Sequence, residues 1–74
     1  MLSFYIIDDD RSIINILSDI IRDHKLGEIV GVSEQGQEGI DDIKSMKPDI
    51  ILLDYLLDDL DGLDIIGSID GHYD

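Results

Sequence analysis

Cysteine is absent from this 74-residue chain, which excludes disulfides and, with them, thiolate metal sites. Basic residues are scarce: 5 Lys and Arg stand against 18 Asp and Glu, a formal charge of −13. A field of that sign repels nucleic acid and anionic lipid and attracts cations, so neither DNA nor a membrane surface is an expected partner. No Lys or Arg follows Lys47, whereas Asp49, Asp54, Asp58, Asp59, Asp61, Asp64, Asp70 and Asp74 all do. Long hydrophobic runs are missing too. The first, Phe4-Tyr5-Ile6-Ile7, is cut off by Asp8, Asp9 and Asp10, too short for a signal peptide or a membrane span. A soluble, cytoplasmic protein is expected. Neither a low-complexity linker nor an internal repeat is visible, and the length suits one small domain.

What is present argues for a folded chain. The hydrophobic fraction is 43%, and apolar runs (Ile50-Ile51-Leu52-Leu53 and Leu63 with Ile65 and Ile66) lie among the late acids. A disordered acidic tail has neither feature. A single core of this size is marginal, so a bound cation or a second chain is the natural source of further stability.

Three short apolar runs without alternation read as strands buried on both faces, at about 3–8, 28–32 and 49–54. Between the first two, Ile13, Ile16, Leu17, Ile20 and Ile21 recur at helical spacing. They predict an amphipathic helix over about 11–25, capped by Asp10 or Asp9 and ended by Gly27. Ile40, Ile43 and Met46 predict a second helix over about 36–46, stopping before Pro48. Leu63, Ile65, Ile66 and Ile69 predict a third over about 62–70. Strictly alternating strands and helices with short connections imply an α/β fold with a parallel sheet and right-handed crossovers.

In open parallel sheets, sites form beyond the carboxyl ends of the strands. With sheet order 2-1-3, the first and third strands are neighbours, one ending at Asp8 and Asp9 and the other at Asp54. Three carboxylates at one edge repel one another, and a hard cation relieves this. Mg²⁺ suits the arrangement, because it takes oxygen ligands, needs few protein carboxylates and keeps waters that a phosphoryl oxygen can replace. An aspartate there is then placed to attack phosphorus.

The stretches Ile6-Ile7-Asp8-Asp9-Asp10, Pro48-Asp49-Ile50-Ile51-Leu52-Leu53-Asp54-Tyr55 and Leu60-Asp61-Gly62-Leu63-Asp64-Ile65-Ile66 resemble, in order and spacing, the receiver domains of bacterial two-component response regulators. The segment from Gly31 through Ile40 is similar to that family's passage from second strand to second helix. The resemblance implies a truncated flavodoxin-like (βα)3 unit, completed by self-association or by further C-terminal residues. It implies that Asp54 accepts phosphate from a sensor histidine kinase, that Asp9 ligates Mg²⁺ directly, and that Asp8 acts mainly through water. The backbone carbonyl of Leu56 would be a further ligand, and Asp61-Gly62 would shape the turn into the third helix.

Each motif also has a plainer reading. Asp8, Asp9 and Asp10 can simply cap a helix, and Asp10 is expected to do only that. Asp54 can be a polar strand end. Aligning Gly62 with position 6 of a calcium loop puts Leu57 and Ser68 where acids are required, which argues against an EF-hand; Asp58 and Asp59 are expected to form a solvated loop face. His24 suits a helix C-terminus, and His72 lies too far from it to share a metal. Tyr5 is expected in the core, and Tyr55 either lines the site or lies on the surface.

Two departures from the family pattern bear on activity. The family's proline four residues after the acceptor is Asp58 here. The Ser or Thr and the Lys that the family places on its fourth and fifth strands have no counterpart: the chain has no Thr, and its only Ser beyond Asp54 is Ser68. Cation binding is therefore expected to survive better than phosphorylation. Strand 3 would be an edge with unpaired backbone groups, and a homodimer joined there is expected. The leading functional reading is a non-enzymatic signalling module, with transcription as its usual output. A phosphatase of the haloacid-dehalogenase type fits less well, because Asp54-Tyr55-Leu56 lacks the second aspartate. A non-catalytic dimerisation module that keeps the fold is the alternative.

Overall fold

A computed structural model describes residues 1–54, 57, 59 and 62–69. The elements in order are β1 (Ser3–Ile7), α1 (Arg11–Asp23), β2 (Glu28–Ser33), α2 (Gly36–Met46), β3 (Ile50–Leu53) and α3 (Gly62–Ile69). The strands form one parallel sheet in the order β2-β1-β3, the α/β architecture and strand order expected.

The unbroken apolar run of β1 follows from its central place. Tyr5 and Ile7 pack with Ile40 and Ile43 of α2 and Ile65 and Ile69 of α3. Phe4 and Ile6 point to the other face, against Ile14 and Ile21 of α1. All four strand residues are buried, and each such side chain contributes roughly 1.5–3 kcal/mol relative to exposure. A bulge in the β1–β2 ladder skips Val30, pairing Phe4 with Ile29 and Tyr5 with Gly31. It turns Ile29 and Val32 to the α1 face while Val30 faces α2.

Helix α1 departs from the sequence reading in phase and in its end. The buried stripe is Ile14 and Ile21 with Leu17 beside them, whereas Ile13, Ile16 and Ile20 are exposed by 39%, 54% and 45%. Both sets share the i, i+3, i+7 spacing, so the pattern cannot choose between them; contact with the sheet does. The helix stops at Asp23 rather than near 25. Lys25 takes the left-handed conformation (φ 54°), its N–H donates to the Arg22 carbonyl, and the Leu26 N–H donates to the Ile21 carbonyl. That is the Schellman arrangement usually built on glycine. Gly27, expected to end the helix, serves close approach instead: a Cβ there would lie 2.2 Å from the Leu2 carbonyl oxygen. Helix α2 also ends on a left-handed lysine, Lys47, but with the single bond from its N–H to the Ile43 carbonyl, since Pro48 has no N–H to complete a Schellman pair.

The beginnings of β1 and β3 are locked together. Asp49 Oδ2 accepts from the Ser3 N–H at 2.8 Å and from the Ser3 hydroxyl at 3.1 Å, while the Asp49 N–H donates to Ser3 Oγ at 2.9 Å. These bonds, the backbone one foremost, hold the Asp49 carboxyl below its usual range. They also fix the register, Phe4 with Ile50 through Ile7 with Leu53.

Candidate functional site

Counting along that register brings the acids together. Five residues beyond the Ser3–Asp49 lock, β1 and β3 deliver Asp8 and Asp54 side by side. The Asp54 N–H donates to the Ile7 carbonyl at 2.9 Å and the Asp8 N–H to the Ser33 carbonyl at 3.0 Å. Each bond continues a ladder one residue past the strand, so both backbones are held at the sheet edge. Asp8 and Asp54 are half-buried and Asp9 is exposed. One carboxylate oxygen from each of the three lies within 4.8 Å of the others.

Asp8 and Asp10 also organise the turn into α1. Asp8 Oδ1 accepts from the Asp10 N–H at 2.9 Å. Asp10, in extended conformation at the N-cap, accepts from the Ser12 N–H at 2.9 Å. Asp10 is thus turned into its own helix and away from the cluster. An open cavity of about 300 Å³ adjoins the acids, lined by Ile7, Asp8, Leu17, Ile51, Leu52, Leu53 and Asp54. It is apolar except at its carboxylate rim.

Three hard oxygen donors from two neighbouring strand ends form a donor set for a hard divalent cation, and no thiolate or imidazole competes among them. The carbonyl of Leu56, expected as a further ligand, lies outside the described residues, as do Tyr55, Asp58, Asp61 and His72. His24 is placed as expected, at the C-cap of α1.

Several supporting residues escaped sequence reasoning. Ser33 is 3% exposed; its carbonyl holds Asp8, and its hydroxyl donates to the Gln35 carbonyl and accepts from the Gln35 N–H. Arg11 pairs with Glu34 at 3.0 Å, tying the first residue of α1 to the β2–α2 loop. Asp59, expected on a solvated loop face, is exposed but has a role that expectation did not include: its carboxylate accepts from the Gly36 N–H at 2.8 Å and the Gln37 N–H at 3.0 Å. The available signal was that α2 begins without a local capping side chain, since Gln35 supplies no cap bond. A partner more than twenty residues away leaves no local pattern.

Comparison with known proteins identifies the family. A family model described as "Response regulator receiver domain" matches residues 4–74. A protein-glutamate methylesterase/protein-glutamine glutaminase 1 of Saccharophagus degradans is 41% identical over 64 residues, 86% of this chain and 18% of that protein. The transcriptional regulatory protein GlnL of Bacillus subtilis is 37% identical over 73 residues, 97% of this chain and 23% of that protein. The chain thus spans about a fifth of the length of these relatives.

Proposed function

The chain belongs to the response regulator receiver domain family, and from that premise we propose that it takes a phosphoryl group onto Asp54 from a sensor histidine kinase, with Mg²⁺ or a similar cation at the same carboxylates. The observation that carries this reading is the meeting of Asp8, Asp9 and Asp54 oxygens within 4.8 Å at one sheet edge. In the proposed step a carboxylate oxygen of Asp54 attacks phosphorus. The new O–P bond replaces the P–N bond to the donor imidazole, which leaves with the electron pair and takes up a proton. Asp8, Asp9, Asp54 and the Leu56 carbonyl would hold the cation, Asp9 directly and Asp8 largely through water. The cation, when bound, offsets the negative charge that nucleophile and phosphate share. The chain's own contribution is placement, since both backbones are fixed by ladder bonds before any phosphate arrives.

The module itself is not assigned an enzymatic activity. The two kinds of relative carry an esterase/amidase name and a transcriptional name, so the output of the protein that contains these residues is proposed to be one of those two classes. These 74 residues alone have neither Thr nor any Lys beyond Lys47. By themselves they are proposed to bind the cation better than they retain phosphate. A kinase-facing role implies a cytoplasmic location; no helix among the described residues is long and apolar enough to cross a membrane.

The test is incubation with acetyl phosphate and Mg²⁺, followed by intact mass. One phosphoryl adduct is expected, absent in Asp54→Asn and after chelation, and short-lived in the 74-residue chain. A second reading is favoured by β3, which pairs only with β1 among the described residues and so presents an open edge. In it the fold is a non-catalytic homodimerisation module. No adduct, no saturable Mg²⁺ binding and a concentration-dependent dimer in light scattering would establish that reading and end the first.

A further inference from the structure

The first N–H groups of a helix have no partner within it. In α2 two of them, from Gly36 and Gln37, are met by the two carboxylate oxygens of Asp59, and negative charge at that end also suits the helix dipole. A cap of the ordinary kind belongs to its own helix and constrains nothing else. This one comes from the segment that leaves Asp54, five residues on, and so joins that segment to α2.

From this geometry we propose that Asp59 is a positioning residue for the carboxylate site: by gripping the first turn of α2 it fixes the chain beyond Asp54 and thereby sets Asp54 against Asp8 and Asp9. The bonds close into a ring. Asp59 holds Gly36 and Gln37; the Ser33 hydroxyl holds Gln35 next to them; the Ser33 carbonyl holds the Asp8 N–H, and the Ile7 carbonyl holds the Asp54 N–H. The chain from Asp54 to Asp59 completes the circuit. Asp8 and Asp54 sit on it, Asp9 directly follows Asp8 in the chain, and the Arg11–Glu34 pair pins the same β2–α2 loop to the start of α1. Removing Asp59 opens the ring on the C-terminal side of Asp54, while both strands keep their ladder bonds. The expected consequence is therefore a looser site on an intact fold. This inference rests on reading the three acids as a cation and phosphoacceptor site.

The test is a calorimetric Mn²⁺ titration at a temperature where every variant is folded. Asp59→Ala is expected to weaken binding about tenfold, the low end for loss of a group that orients metal ligands. Asp59→Asn keeps an oxygen acceptor and is expected to stay within about threefold of the unmodified chain. Glu38→Gln removes a negative charge from the exposed first turn of α2 without opening the ring, and is expected to change binding less than about twofold. Unchanged affinity in Asp59→Ala would reduce Asp59 to a helix cap and overturn the proposal. Should Asp59→Ala not fold, the unmodified chain decides: coupling is reciprocal, so saturating Mn²⁺ must slow amide exchange at Gly36 and Gln37. Unaltered exchange there overturns the proposal as well. Absence of saturable binding in the unmodified chain is a distinct result, which removes the site reading and this inference with it.

Discussion

Tyr5 shows how much one side chain in the core depends on its neighbours. It is fully buried, and its hydroxyl donates to Asp42 Oδ2 at 2.5 Å. Burial first, then the bond to Asp42 and the negative charge of Asp42 and Glu38, push the phenol far above its ordinary 10. Folding therefore favours the protonated form. Its contribution to stability is complete below about pH 10 and is lost as pH rises further, because the unfolded chain then releases the proton first. Tyr5→Phe is expected to lose about 1 kcal/mol at pH 7, the usual worth of one hydrogen bond. The difference from the unmodified protein should narrow between pH 10 and 11 in thermal melts. A difference that stays constant across that range would show that Tyr5 does not titrate this way. The place of Tyr5 in the core was legible from its position in an apolar run; its partner Asp42, 37 residues away, was not.

At the scale of elements, α1 separates what a pattern states from what packing decides. Isoleucines at 13, 14, 16, 20 and 21 establish an amphipathic helix whichever stripe faces inward. The sequence reading chose a face containing Ile16 and left out Ile14. The sheet selects the stripe about one residue round, burying Ile14 at 2% exposure and leaving Ile16 at 54%. Ile14→Ala is accordingly expected to cost about 2–5 kcal/mol through the cavity it leaves. Ile16→Ala should cost only about 0.5 kcal/mol, as surface changes do. Urea unfolding of the two variants checks this, and equal losses would place the wrong face against the sheet. Helix ends were misjudged for a related reason. Gly27 is the residue that terminators favour, but Lys25 carries the left-handed turn, and Gly27 lies where Leu2 and Phe4 crowd the backbone.

For the whole molecule, charge is the dominant feature. A net −13 on 74 residues repels itself and lowers the stability of the compact state, and salt screens that repulsion. Raising NaCl is expected to raise the melting temperature smoothly. Mg²⁺ compared at equal ionic strength should raise it further, since a ligand that binds only the folded state adds stability by mass action, about 2.7 kcal/mol at a hundredfold excess over its dissociation constant. Asp9→Asn should keep the salt effect and lose most of the Mg²⁺ increment. An increment of the same size in that variant would mean that Mg²⁺ acts on the diffuse charge alone and not at the strand-end cluster.

The order of elements, the parallel sheet and the acids at the strand ends were determined by the sequence, because short apolar runs, helical spacing and residues adjacent to a run are local features. The meeting of Asp8 and Asp9 with Asp54 was foreseeable once strands 1 and 3 were set side by side. What only the tertiary structure decided were relations across long separations: the Ser3–Asp49 lock that holds the strand register, the face of α1 that meets the sheet, and the Asp59 carboxylate on the first turn of α2. Each depends on where two distant backbones lie relative to one another. Such placement is settled by packing and leaves no periodicity for a sequence to display.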